Sequence, residues 1–215
     1  MTTTHCPIVV LISGNGSNLQ ALIDASVHSN FKIAGVISNR PDAIGLERAQ
    51  RDNIPTRVVD HSQFGSRKEF DLALLKSIEE FSPSLVVLAG FMRILGADFV
   101  NHFADRLINI HPSLLPKYPG IGTHQRAIDA GDKEHGVSVH FVTEETDGGP
   151  VIAQERVAIR SDDTAATLAA RVLEKEHIIY PKVVSWFAAG RLRMAGNHAL
   201  LDDEVLPPEG VQVGP

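Results

Sequence analysis

The sequence predicts an α/β fold: a doubly wound, mostly parallel sheet with flanking helices and an antiparallel C-terminal portion. Three observations carry this expectation. Short β-branched apolar runs alternate with amphipathic helix-length stretches from residue 8 to residue 110, the pattern of βαβ crossovers. Two of those runs, residues 8–12 and 85–89, are almost free of polar side chains, as strands buried on both faces are. After about residue 135 two strand-like segments follow one another directly, joined by Glu-Glu-Thr-Asp-Gly-Gly-Pro, which reads as an antiparallel pair.

Taken in order, residues 8–12 form the first strand and Ser13-Gly-Asn-Gly-Ser-Asn18 a turn. Residues 19–25 read as a helix with Leu19, Leu22 and Ile23 on one stripe. A strand at 33–37, a helix at 43–52 closed by Asn53-Ile54-Pro55, and a short strand at 56–59 continue the alternation. Residues 66–81 predict a longer helix burying Phe70, Leu74, Leu75 and Ile78, stopped by Ser82-Pro83. A central strand at 85–89, a short helix at 96–103 and a strand from 107 come next. The antiparallel pair spans 137–142 and 151–159. A long helix at 164–189 places Leu168, Val172, Ile179 and Val183 at apolar positions. Residues 200–206 suggest a small hairpin, and about 1–6 and 208–215 read as loose tails. With no linker, repeat or low-complexity segment, residues 1–215 are expected to form one domain.

Composition narrows the function classes. Of 215 residues, 43% are hydrophobic and 21% charged, ordinary for a globular protein. A formal net charge of -6 lacks the basic footprint of a nucleic-acid binder, while a local anion pocket stays open. One cysteine, Cys6, can make no internal disulfide, and no Cys/His spacing suggests a metal site. No Lys or Arg precedes the apolar run at 8–12, which is too short for a signal segment or a membrane span. A cytoplasmic setting with no membrane association is the default expectation.

Two segments carry chemistry. Gly14, Asn15, Gly16, Ser17 and Asn18 lie between a strand end and a helix start, where free backbone N–H groups and the helix dipole suit an anion. Neither the P-loop nor the dinucleotide fingerprint is present. Phosphate binding and a plain capped turn are both consistent with this spacing. Asn109 and His111 sit two apart at a strand end, so both side chains project to one side, beside a loop held by Pro112, Pro116 and Pro119. The carboxyl ends of such strands are where open α/β sheets bind ligands. An amide and an imidazole there can stabilise an oxyanion, and the imidazole can handle a proton. On the pair alone, a buried, hydrogen-bonded histidine and a plain strand-end asparagine are the simpler reading. Asp147, in a Thr-Asp-Gly-Gly-Pro turn, would favour the charged form of an imidazole beside it. Spacing alone does not bring it to His111.

Several long motifs are similar to those of the phosphoribosylglycinamide formyltransferases, in the folate-dependent formyltransferase family. They are Leu-Ile-Ser-Gly-Asn-Gly-Ser-Asn at 11–18, Leu-Ala-Gly-Phe-Met-Arg-Ile-Leu at 88–95 and Asn-Ile-His-Pro-Ser-Leu-Leu-Pro at 109–116. His-Phe-Val-Thr-Glu-Glu-Thr-Asp-Gly-Gly-Pro at 140–150 and Glu-His-Ile-Ile-Tyr-Pro at 176–181 complete the set. The resemblance covers nearly the whole chain in order.

That resemblance implies formyl transfer from 10-formyltetrahydrofolate, a cosubstrate, to the amine of glycinamide ribonucleotide in purine synthesis, with no metal. It implies a catalytic trio of Asn109, His111 and Asp147, and a phosphate loop at Gly14 to Asn18. A folate pocket would use Met92, Arg93, Ile94 and Leu95, with Thr143, Glu144, Glu145, Thr146 and Asp147 opposite, and contacts from Arg67 and Asn109. Glu176 would grip the glycinamide end. The partners would be these two small molecules, and the protein a monomer or homodimer. Without the resemblance, Met92 and Leu95 read as plain core, Arg67 as a solvated helix residue and Glu176 as one more helix charge. Gly122 and Val137 stand where some relatives carry other residues, which touches only secondary contacts.

Rival readings are a tRNA formyltransferase, a formyltetrahydrofolate hydrolase and a non-catalytic nucleotide-binding module. The first is expected to need a further C-terminal domain and a basic face, the second an N-terminal regulatory domain. The third has no use for all three trio residues.

Overall fold

The apolar runs become buried strands wherever both of their faces are covered. Residues 5–213 are described by a computed structural model. The chain divides into two compact units, residues 1–109 and 110–215.

In the first unit, β1 (Cys6–Ile12), β2 (Phe31–Ser38), β3 (Thr56–Val58), β4 (Leu85–Leu88) and the start of β5 (Leu107–His111) run parallel in the order β3-β2-β1-β4-β5. Residues 8–12 of β1 are fully buried, and so are Leu85, Val86 and Val87 of β4. Burial of this kind contributes about 25 cal/mol for each Å² of apolar surface removed from water. Helices α1 (Ser17–Ser26), α2 (Ile44–Arg51), α3 (Arg67–Glu79) and α4 (Ala97–His102) alternate with these strands. The Ser66 hydroxyl caps α3 by accepting from the Glu69 N–H at 3.3 Å, and the Glu69 carboxylate accepts from the Gly65 N–H at 3.0 Å. These contacts satisfy backbone donors that the first turn leaves unpaired.

In the second unit, β6 (Glu134–Phe141) and β7 (Val151–Ala158) pair antiparallel, as the sequence predicts. They pack against α6 (Ala165–Ala188), whose buried residues include Leu168, Val172, Ile179 and Val183. Thr164 and Thr167 form a reciprocal capping box at the start of α6.

Three expectations need correction. The segment after Pro119 is more than a proline-held loop, because α5 (Thr123–Asp129) forms there. Gly122, at φ +69, supplies the left-handed N-cap, and helix periodicity is hard to see in seven residues. The hairpin expected at 200–206 exists as β9 (His198–Leu201) and β10 (Glu204–Val205), but β8 (Leu192–Ala195) extends it to three strands. The expected loose tails are ordered where described. Cys6 begins β1 and pairs with Phe31. Near the other end, β11 (Val211–Gln212) pairs parallel with β7, and Val213 is buried. Gly210, at φ +68, lies so close to the Ile152 backbone that a side chain there would collide with it. Residues 1–4 and 214–215 lie outside the described residues.

Candidate active site

The glycine loop follows β1 directly. Gly16, at φ +74, is the N-cap of α1 and has no side chain with which to cap it. No side chain caps this helix start, and a helix start of that kind suits an anion. A Cβ on Gly16 would lie 2.6 Å from Gly45 Cα. The Gly45 N–H donates to the Gly14 carbonyl at 3.0 Å, and Arg48 donates to both the backbone and the side-chain oxygen of Asn15, each at 2.9 Å. The start of α2 thus braces the loop and brings a positive charge to it. Sequence reasoning missed Arg48, since its thirty-odd residues of separation from Asn15 leave no local signal.

The segment after β4 carries the expected folate wall. Met92 is 73% exposed and Ile94 65%, so neither is core, and Leu95 is half-buried. Two large apolar side chains held in water are a poor use of surface unless something covers them. Their backbone is fixed from beneath. The Met92 N–H donates to the Ser13 hydroxyl at 2.7 Å, and that hydroxyl donates to Asn39 Oδ1 at 2.6 Å. The Gly96 N–H donates to Asp71 Oδ2 at 2.8 Å. The Arg93 guanidinium stacks over the Phe70 ring at 5.4 Å, and Arg67 begins α3. Burial raises the Asp71 carboxyl above its ordinary range, against the Gly96 hydrogen bond and the pull of Arg67 and Arg93.

Asn109 and His111 share β5, Asn109 half-buried and His111 buried. The structure supplies the contact that spacing left open. His111 Nδ1 lies 3.5 Å from Asp147 Oδ2. On the other edge of the ring, Nε2 lies 2.9 Å from the Tyr118 carbonyl. A carbonyl only accepts, so Nε2 carries the proton of that bond and Nδ1 faces the carboxylate. Asp147 sits at φ +53 and Tyr118 at φ +56, both in the left-handed region that non-glycine residues enter at a cost. The Gly120 N–H donates to Asp147 Oδ2 at 2.8 Å. Gly149 holds the far side of the turn, where a Cβ would strike the Phe141 carbonyl. Of the remaining loop residues, Thr143 is half-buried while Glu144, Glu145 and Thr146 are exposed.

His140, His135 and His124 lie in the same unit. His140 Nε2 lies 3.8 Å from Asp147 Oδ1, and its Nδ1 donates to the Phe141 carbonyl at 2.8 Å. Burial pushes the His140 ring down to about 4, despite the opposing hydrogen bond and carboxylate. His135 and His124 stand 3.0 Å apart, and burial followed by the His124 charge pushes His135 to about 4 as well. Glu176 is a nearly buried carboxylate on α6, one turn before the buried Tyr180, whose hydroxyl is raised well above its ordinary range by burial and by Glu176. Among the described residues no group of three His, Cys, Asp or Glu side chains is placed to hold a metal ion. No helix among them is long and apolar enough to cross a membrane.

Comparison with known proteins bears on the whole chain. The formyl transferase family profile matches residues 6–184. The phosphoribosylglycinamide formyltransferase of Escherichia coli (strain K12) is 56% identical over 205 residues, covering 94% of this chain and 97% of that one. A human relative, the trifunctional purine biosynthetic protein adenosine-3, is 46% identical over 192 residues, which are 88% of this chain and 19% of that protein. The solved structure of phosphoribosylglycinamide formyltransferase from Coxiella burnetii superimposes with a TM-score of 0.93 at 55% identity, covering 97% of this chain and 99% of that one. Glycinamide ribonucleotide transformylase 1 from Symbiobacterium toebii superimposes with a TM-score of 0.89 at 40% identity, covering 94% and 95%. With a braced glycine loop, two exposed apolar side chains and a histidine–aspartate contact already in place, these matches show that the chain belongs to the formyl transferase family, among the phosphoribosylglycinamide formyltransferases.

Proposed function

We propose that this protein transfers the formyl group of 10-formyltetrahydrofolate to the amine of 5-phosphoribosylglycinamide, a step of de novo purine synthesis. The observation that carries this reading is the seating of the Asp147 carboxylate 3.5 Å from His111 Nδ1. The amine attacks the formyl carbon and makes a tetrahedral oxyanion. Asn109 donates to that oxygen and His111 stabilises its charge from beside it, and a preorganised donor of this kind supplies about 2.7–4 kcal/mol. Asp147 takes the proton from the attacking amine and delivers it to the leaving nitrogen of the folate. Gly14 to Asn18 hold the substrate phosphate, with Arg48 adding charge. Glu176 receives the glycinamide end. Met92, Arg93, Ile94 and Leu95, with Arg67 and the residues from Thr143 to Asp147, contact the folate.

Folate is consumed as a cosubstrate, and the chemistry written here needs no metal. Residues 1–215 act as one formyltransferase domain, supported by one family match that runs from residue 6 to residue 184. A monomer or homodimer in the cytoplasm suits a chain with one cysteine and two small-molecule substrates.

The test is to mix the protein with both substrates and follow formylated nucleotide and tetrahydrofolate. Equal amounts of the two products are expected. Formate released without nucleotide formylation makes the protein a hydrolase, and binding without turnover makes it a nucleotide-binding module. Either result overturns the proposal.

A further inference from the structure

One short stretch of backbone serves both members of the histidine–aspartate pair. The Tyr118 carbonyl accepts from His111 Nε2 at 2.9 Å, and the Gly120 N–H donates to Asp147 Oδ2 at 2.8 Å. A shift of residues 118–120 would therefore disturb both at once. The stretch is costly to hold. Tyr118 carries a large side chain at φ +56, a conformation that persists only where its surroundings impose it. The contacts that impose it come from two charged residues given no role above, Arg126 and Asp132.

Asp132 holds the Tyr118 side chain. The Tyr118 hydroxyl donates to Asp132 Oδ2 at 2.8 Å, and Lys117 Nζ donates to Oδ1 at 3.0 Å and to Oδ2 at 2.8 Å. Lys117, and after it Tyr118, keep the Asp132 carboxyl below its ordinary range, so it is an ionised acceptor at neutral pH. Arg126, on α5, holds the backbone one residue further on. Its Nη1 donates to the Pro119 carbonyl at 2.6 Å, and its guanidinium lies over the Tyr118 ring, 5.2 Å from the centroid. The His135 ring stands edge-on to the same ring at 6.2 Å. The carbonyl offered to His111 thus lies between a tethered side chain and a tethered peptide. From this geometry we infer that Asp132 and Arg126 are positioning residues, a clamp on residues 118–120 that sets the Tyr118 carbonyl against His111 and the Gly120 N–H against Asp147.

Each of these contacts is modest by itself, since hydrogen bonds and charge contacts near the surface compete with water. Their effect comes from acting together on one strained stretch. With one of them gone, nothing compensates for the left-handed backbone at Tyr118, and the carbonyl is free to swing away. The distances involved are small. A displacement of about 1 Å at a positioned group can cost about 10²-fold in rate. The clamp acts through backbone, so its loss should slow the chemical step and leave the binding of both substrates in place.

The inference rests on the proposed formyl transfer, so the wild-type assay comes first. A wild-type protein that makes no formylated nucleotide overturns that function and, with it, the clamp. Given an active wild type, kcat and the KM for each substrate are measured for Asp132→Ala, Asp132→Asn, Tyr118→Phe and Arg126→Met. Alanine accepts nothing, whereas the asparagine carbonyl can still accept from the Tyr118 hydroxyl. Asp132→Ala, Tyr118→Phe and Arg126→Met are each expected to lower kcat about tenfold, with both KM values within about twofold of wild type. Asp132→Asn should keep kcat within about threefold. Joining Tyr118→Phe to Asp132→Ala should cost no more than about twofold beyond the slower single variant, because both remove the same contact. A wild-type kcat in Asp132→Ala or in Arg126→Met overturns the inference. So do losses that fall on KM, losses that multiply in the double variant, or an asparagine variant as slow as the alanine one. Arg126 is exposed, so its variant should fold. If Asp132→Ala does not, Tyr118→Phe decides alone, since it deletes one hydroxyl and keeps the ring beneath Arg126. A kcat lowered about tenfold then supports the inference, and an unchanged kcat overturns it.

Discussion

The glycine loop at 14–18 and the turn at 143–150 are both suited to a negative charge, by opposite means. The loop is built from backbone. Its donors are N–H groups at a helix start, its shape depends on a left-handed glycine, and the anion it suits comes from outside. The turn is built around a side chain. Its charge is the protein's own, and the groups about it are two imidazoles and one N–H. Backbone donors cannot titrate, so the loop should be indifferent to mild acid. Imidazoles do titrate, so the turn and the strand behind it should not be.

The largest expected effect tests that asymmetry directly. His135 and His140 sit near 4, below the ordinary 6.5, because burial disfavours their charged rings. An unfolded ring takes up its proton as pH falls through 6.5, whereas the folded ring waits until about 4. Across that window the unfolded state binds more protons, so stability falls with falling pH, by about 3 kcal/mol per histidine. Urea unfolding at about pH 7.5 and about pH 4.5 measures it. Equal midpoints at the two values would show that neither ring is held neutral by burial.

Next in size is Asp147→Asn. Single-turnover formyl transfer should fall by about 10²-fold or more, with both substrates still bound. A rate within about threefold of wild type would remove Asp147 from the chemistry.

On the backbone side, Gly16→Ala forces a Cβ into a left-handed position, 2.6 Å from Gly45 Cα. The KM for the nucleotide should rise about tenfold while kcat at saturation changes little. A loss confined to kcat would mean that the loop acts on the reaction and not on phosphate binding. Ser13→Ala is the mildest change. It removes the acceptor of the Met92 N–H and the donor to Asn39. A folate KM raised about fivefold is expected, the size of one lost hydrogen bond. An unchanged folate KM would detach the Met92 segment from folate binding.

The same asymmetry governs what could be read from the sequence. The parallel strands were legible, because continuous apolar runs such as 8–12 and 85–88 have little other use in a short segment. The glycine loop was legible because its glycines are spelled out. Asn109 and His111 were visible as a strand-end pair, and Asp147 as a turn residue of the resembling family. Their contact was not visible, since it joins positions far apart in the chain. His140 was missed for a related reason. A histidine in an apolar strand normally reads as core, and only its bond to the Phe141 carbonyl reveals which nitrogen faces Asp147. The Gly120 N–H and the Tyr118 carbonyl leave no trace in residue type at all. Elements of two to seven residues, such as α5, β8 and β11, were overlooked because so few positions show no period.

The carbonyl of Tyr118 has one more consequence. By accepting from Nε2, it decides which nitrogen of His111 meets Asp147. Backbone position and imidazole tautomer therefore become a single variable. Were the 118–120 segment to withdraw, the ring would lose its reason to keep the proton on Nε2. The tautomer ratio of His111, read from its ring nitrogens, is thus a built-in gauge of where that segment stands, available in solution without a substrate or a label on the loop.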